Sequence, residues 1–536
     1  MTTMLRGTLR AILLGSLLIA DTPAQPPAEK FKLEGRVVTT SGGPVRRATV
    51  VLGGRNLQLA AESDDDGRFS FADVEPGQMT VQVVRNGYLD ATYPTITTGA
   101  QPRPITIVMT RESIIRGTVT DEYGDPFPNL AITVGVRSYS KGGWQMSRIS
   151  GITLLSLTTG PDGAYVLGGL PAGKYYVSAE LSIARSAFSL MAATSQGPQR
   201  AYIPTFHPSA TELSLATAVA VAAETEVRGV DIRMRRVNVF RVRGKHAIPE
   251  GNRAPDLRLT PLNASPSNSS GRLMFSARNL NGTFEFTGVP PGTYVLQSQG
   301  SVVSVRQIVT VSDRDVDGIV LQSSPGAKLS GTIRYASSNA PRGLPEVALT
   351  MEGESNASQT ARTQADGTFE YPSLDAGAYR IGIQNRTQYI QSLLFNGQRV
   401  QRRRIEVESG ASSTLAVVVG TDVAEVTGIV RDDRGQPVPK VRVTIWEPGG
   451  FPADANSSYA ITENDGSIRF FGLPPGDYRI AAWEQVESGL PEAPEFLKQF
   501  DAQATSVTLG SNAKEKLEAI KLIRREAIET ATAKMP

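Results

Sequence analysis

The chain has 536 residues, 40% hydrophobic and 20% charged, with a net charge of +3. This composition excludes a disordered chain, and the length gives room for roughly three to five small domains. The near-neutral charge excludes strong attraction to nucleic acid or an anionic membrane, and zero cysteines exclude disulfides, thiol chemistry and a lipid-modified amino-terminal cysteine.

The first element is a signal peptide over residues 1–24. Arg6 and Arg10 precede a short apolar stretch, Ala11 to Ala20, and a small-residue step follows at Thr22-Pro23-Ala24. The apolar core is too short for a stable membrane span. The mature chain is expected to begin at Gln25 and to be exported, to a periplasm or outside the cell, with no membrane span left.

From there the chain repeats. Asp66-Gly67, Asp162-Gly163, Asn281-Gly282, Asp366-Gly367 and Asp465-Gly466 each precede a second glycine, at 77, 173, 292, 377 and 476, by 11 residues. A constant offset at five places marks an internal repeat. Its spacings of 96, 119, 85 and 99 residues suit separate small domains.

Each repeat reads the same way in chain order. A first strand holds a glycine, as in Gly35-Arg36-Val37, Gly117-Thr118-Val119, Gly331-Thr332-Ile333 and Gly428-Ile429-Val430; in the third repeat it begins near Val242-Arg243-Gly244. A Pro-containing loop and a second strand follow. The Asp-Gly pair suits a type I′ hairpin turn. The strand after it alternates large apolar residues: Phe69 and Phe71, Tyr165 and Leu167, Phe284 and Phe286, Phe369 and Tyr371, Ile468 and Phe470. The Pro-Gly or Ala-Gly step then fits a type II turn. Two residues on stand Tyr175, Tyr294, Tyr379 and Tyr478, with Met79 in the first repeat. A tyrosine entering a strand after a corner buries its ring and sends its hydroxyl to the backbone. Further strands close each repeat, and about seven short strands suffice for one sandwich core. Glu515 to Ile528 is read as a closing strand followed by a frayed tail.

These residues resemble the carboxypeptidase regulatory-like domain, a transthyretin-like (prealbumin-like) sandwich, in tandem. The matching signature is G-x-V, then G-x-P-V-x-x-A/V-x-V, then D-G-x-F-x-F-x-x-L-P-x-G-x-Y-x-V. Gly428 to Trp446 with Asp465 to Ile480 is the closest copy; the third and fourth repeats keep the second half only. The resemblance implies an all-β chain of five tandem Ig-like/prealbumin-like antiparallel β-sandwich domains. Their expected bounds are 25–112, 113–236 with an insertion, 237–323, 324–421 and 422–524, with a tail over 525–536. The same sandwich resembles collagen-adhesin B-type repeats and the starch-binding-like fold, so it serves as spacer and carbohydrate binder alike. A Lys–Asn isopeptide bond of the adhesin kind is not expected, because Lys is scarce and Lys440 has no counterpart in the first repeat, where Arg47 is the nearest basic residue.

Candidate chemistry is sparse. His207 and His246 stand 39 residues apart with no metal-spaced neighbour, and no G-x-S-x-G elbow marks a nucleophile. No catalytic residue, resident metal or cofactor is therefore expected. Ser312 to Gly318 reads like the start of a calcium loop, but its twelfth position would be Ser324, and a turn explains Asp317-Gly318 equally. The basic runs Arg233 to Arg236 and Arg402 to Arg404 read as solvated strand faces. The most individual stretch is the insertion Leu181 to Thr225. Its Tyr202 and Phe206, with Trp144 in the Gly142-Gly143-Trp144 loop, are the candidate ligand-binding residues, since loop aromatics grip sugars and partners. The alternative is that the insertion covers an edge or packs on a neighbouring domain. The function read here is a non-catalytic binding or scaffold protein, its partner a polysaccharide or other cell-envelope component. The alternative is a spacer or an accessory subunit of a hydrolase or uptake complex, with a protein partner.

Overall fold

The computed structural model describes residues 30–54, 58–75, 77–98, 104–140, 142–149, 158–181, 199–247, 256–262, 275–277, 282–298, 305–322, 326–337, 341, 343–352, 358–383, 387–453 and 458–535. The signal peptide, Asn281 and residues 182–198 of the insertion lie outside them. The described residues fall into two compact bodies, one ending at Arg111 and one starting at Glu112.

The protein is all-β, built of small sandwich-like pairs of sheets. In the first body, Phe31–Thr39 lies between Arg68–Val74 and Ile105–Met109; Gln58–Glu62, Thr49–Gly53, Gly77–Val84 and Ala91–Thr98 form the other sheet. Alternate residues of both sheets, among them Val37, Val50, Phe69, Phe71, Val81 and Ile107, share one core. Among the described residues the same pairing recurs along the second body, around separate clusters of buried residues. The third repeat, weakest in sequence, has both sheets, and its core runs from Val242 to Leu321.

The sheets are mixed, not purely antiparallel as expected. In each repeat the first strand pairs antiparallel with the strand after the Asp-Gly turn and parallel with the closing strand. A parallel neighbour needs a long crossover, and the whole intervening repeat supplies one.

The repeated glycine of the first strand has a shared cause. Gly35, Gly117, Gly244, Gly331 and Gly428 stand directly opposite Phe69, Tyr165, Phe284, Phe369 and Ile468. In the first, third and fourth repeats the facing ring lies across the glycine, so that a Cβ would sit 2.1–2.5 Å from its Cζ. The glycine makes room for the aromatic that starts the core.

Both turns differ from expectation. Gly67, Gly163, Gly367 and Gly466 have φ of 72–84°, but the Asp residues before them are not left-handed. Gly67 N–H donates to Asp64 O, and Asp64 N–H to Arg68 O. This is a three-residue loop with a left-handed glycine closing a bulge, not a two-residue type I′ turn. The Asp carboxylates at 162, 366 and 465 accept the N–H two residues on, which explains the pair. The Pro-Gly step is not a type II turn either. It carries the chain from one sheet to the other, and Gly77 and Gly292 start the next strand in extended conformation.

That corner is what the tyrosines fasten. Tyr175, Tyr294, Tyr379 and Tyr478 are buried, and each hydroxyl donates to the carbonyl four residues back, at 2.6, 2.8, 2.9 and 2.8 Å. Tyr294→Phe leaves the Pro290 carbonyl without this donor and is expected to cost the third repeat about 1–2 kcal/mol in a denaturant titration. Burial pushes the hydroxyls of Tyr294, Tyr371 and Tyr389 up to about 12 from the usual 10.0. The unfolded chain releases these protons first. Stability is therefore expected to hold below pH 10 and to fall as pH rises through about 12, which melting curves at stepped pH would show.

The fifth repeat adds a layer beyond the expected sandwich. Leu490–Glu492, Pro494–Leu497 and Lys498–Phe500 are short helical turns, and Arg525–Thr532 is a helix. The expected frayed tail is thus ordered: Lys514–Ile520 is the closing strand, and Ile528, Ala531 and Met535 are buried. They cover Trp446, Ala481 and Trp483 in a separate cluster on the outer face of the sheet. Ile445, Ile480 and Ala482, alternating with them, fill the sandwich core.

Candidate functional site

The site grows from one long strand. In the second repeat Leu130–Ser140 has 11 residues, where the corresponding strands Thr49–Gly53 and Val347–Met351 have 5. The extension pairs with Gly143–Arg148, the chain reversing at left-handed Gly142. Trp144 therefore stands in a strand, not in the expected loop, directly opposite Tyr139. The rings meet edge to face at 5.3 Å, and the Arg137 guanidinium lies 3.9 Å over the Trp144 ring.

The fifth repeat meets this extension. Arg137 donates two hydrogen bonds to Glu487, at 2.9 and 2.8 Å, and that partner holds its guanidinium above its usual value. Both side chains are about one-third exposed, so the pair contributes about 1 kcal/mol. Tyr139 is buried in the outer cluster of the fifth repeat, and its hydroxyl donates to Glu495 at 2.7 Å. Burial first, then Glu495, pushes that hydroxyl up to about 12.

Beside the contact lies a cleft of about 680 Å³. Trp144, Tyr176 and Lys174 line it from the second repeat; Gln485, Ser488 and Thr532 are among those lining it from the fifth. Half-buried rings, an amide and hydroxyls in one concavity can stack on and hydrogen-bond a polar ligand.

Tyr202 and Phe206 do not line this cleft. Phe206 lies in Thr205–Phe206, at the opposite edge of the sheet from Trp144. Tyr202 lies in Gln199–Ile203, which pairs with Arg235–Ala247, the strand that leads into the third repeat. Its ring packs edge-on to Phe127 at 4.9 Å, with Arg236 5.2 Å away. The insertion covers an edge as well: Thr205–Phe206 and Val219–Val221 both pair with Gly173–Leu181.

The other candidates are engaged. Arg243 binds Asp315 and Asp317, two of the three carboxylates of the calcium-like loop. Among the described residues no group of three or more His, Cys, Asp or Glu is placed to hold a metal ion. The basic runs are not simply solvated faces. Arg233 and Arg236 bond Glu122, Arg402 stacks 3.5 Å over Phe451, and Arg404 pairs with Glu352. Lys440 and Arg47 occupy the same left-handed turn position, with φ of 58° and 51°. No described helix is long and apolar enough to cross a membrane.

Sequence reasoning missed Tyr176, Gln485, Ser488 and Thr532. One signal was available: after Trp483 the strand alternation stops, and Leu490, Phe496, Leu497 and Phe500 recur at helical spacing.

Comparison with known proteins places a carboxypeptidase regulatory-like domain at residues 32–110. Colossin-A of Dictyostelium discoideum is 23% identical over 246 residues, covering 39% of this chain and 2% of that protein. The chain thus spans only a small part of that relative's length. Among solved structures, a streptococcal ancillary pilin covers 54% of this chain and 100% of its own at 13% identity and a TM-score of 0.20. The TIE protein of Bacillus anthracis covers 82% of this chain and 72% of its own at 12% identity and 0.16. Two B repeat units of the collagen binding protein of Staphylococcus aureus cover 73% and 100% at 10% identity and 0.13. At these scores the likenesses carry no further argument.

Proposed function

We propose that this chain is an exported, non-catalytic binding scaffold of five tandem sandwiches, bounded at 25–112, 113–236, 237–323, 324–421 and 422–524. Its ligand is a carbohydrate or another cell-envelope component, and the cleft beside Trp144 holds it. The observation that supports this is the concavity itself, where Trp144 and Tyr176 stand beside Gln485, Ser488 and Thr532. Sugars offer an apolar ring face for stacking and hydroxyls for such amide and hydroxyl partners.

The test is retention of the mature chain, from Gln25, on insoluble polysaccharides and a cell-wall fraction, with and without a chelator. Retention on one polysaccharide, lost in Trp144→Ala and kept in Tyr202→Ala, is the expected result. Loss in Tyr202→Ala alone would move the ligand to the insertion. Loss only with chelator would assign it to a bound cation. A second reading, a spacer or accessory subunit with a protein partner, draws support from Arg137, which covers one face of the Trp144 ring. Retention on none of these materials would favour it.

A further inference from the structure

The contact between the second and fifth repeats joins segments 350 residues apart in sequence, and it is built from one lengthened strand and one insertion of helical turns. One part is the extension of Leu130–Ser140 past the length of its counterparts. The other is the segment from Glu484 to Ala504, inserted between Gly476–Trp483 and Thr505–Leu509. Two separate additions that meet each other are not explained by the needs of either sandwich.

The fit is specific at backbone level. Ser138 and Ser488 form a parallel bridge, and Tyr139 N–H donates to Ser488 O at 2.9 Å. Gly489 has φ of 85°, and a Cβ there would lie 1.8 Å from the Tyr139 carbonyl oxygen. Only glycine allows that approach. Around it stand a buried Tyr, a bidentate Arg and three tryptophans, the residue types that dominate interface energetics.

We infer that this is a dedicated docking joint, in which the extended strand of the second repeat takes the fifth repeat of the same chain as its partner. The joint holds repeats two to five closed in solution, with or without a ligand in the adjoining cleft. It makes this part of the protein a platform of fixed geometry, not an extensible string.

The chain offers two clean handles for the test. It has no cysteine, so Ser138→Cys with Ser488→Cys introduces the only thiols. It has three tryptophans, all in this cluster, so tryptophan emission reports on the cluster that receives Tyr139. The full mature chain is measured by small-angle scattering before and after oxidation. The expected result is a disulfide within one chain and an unchanged radius of gyration, because the joint is already closed. Tyr139→Ala, and Arg137→Glu alone, should raise the radius and red-shift the tryptophan emission; adding Glu487→Arg to Arg137→Glu should restore both, which an unfolded variant would not do. Contraction on oxidation, a disulfide between two chains, or no response to either single variant would overturn the inference.

Discussion

Gly117→Ala is expected to destabilise the second repeat by about 3 kcal/mol, while Gly428→Ala at the matching place in the fifth costs about 1 kcal/mol. The two positions share register and strand, so propensity cannot separate them; the neighbours do. At Gly117 the new Cβ would lie 2.0 Å from Val230 O and 2.6 Å from Val230 C. That backbone is fixed: Val230 N–H donates to Arg116 O, Val230 O accepts the Tyr165 hydroxyl, and Asp231 accepts from the Thr118 N–H and hydroxyl. At Gly428 the nearest atom is Ile520 Cδ1 at 2.8 Å, the free end of a side chain that can rotate. Hydrogen exchange on peptides covering Ser113–Thr120 and Ala164–Leu170 should speed up about a hundredfold in Gly117→Ala, since every 1.4 kcal/mol is tenfold. Equal effects at the two glycines would mean that the closing strand of the second repeat yields as easily as a side chain.

This pair also shows where sequence reading succeeds and where it stops. The offset from Asp-Gly to the second glycine, the alternation of Phe69 with Phe71, and the corner tyrosines are local signals, and they lead to the core and the corner. The type of turn was not legible. Asp-Gly suits both a two-residue and a three-residue loop, and the choice rests on the pairing of the flanking strands. Parallel pairing of the first and closing strands was equally hidden, because residues 70 or more apart in sequence leave no shared pattern. Trp144 read as a loop aromatic because Gly142-Gly143 looks like a break; in fact the two glycines close a hairpin that lengthens the sheet. Beside Tyr176 and Lys174 of its own repeat, Trp144 has cleft neighbours from Gln485 to Ser488 and at Thr532, and only the fold of the fifth repeat brings these there.

Trp483→Ala should have the largest single effect, about 4 kcal/mol, and it should be selective. The side chain is 1% exposed, 6.1 Å from Trp446 and within 5.4 Å of Phe496 and Phe500 between ring centres. Its indole N–H donates to the buried Thr444 hydroxyl at 2.9 Å, so truncation leaves a cavity and removes that donor. The loss falls on the outer layer, because Trp483 faces the helical turns while Ile480 and Ala482 face the sandwich core. Arg525–Thr532 has 8 residues and is too short to persist without that surface. Peptides spanning 487–500 and 525–535 should therefore lose exchange protection while Arg442–Glu447 keeps it. The docking of Tyr139 should fail with them, since the same cluster receives its ring. Trp144→Ala, at the half-buried edge of the cluster, should cost about 1 kcal/mol and leave both helical segments protected. If Trp483→Ala instead melts Arg442–Glu447 together with the helices, the outer layer and the sandwich are one cooperative unit, and the joint is inseparable from the fold that carries it.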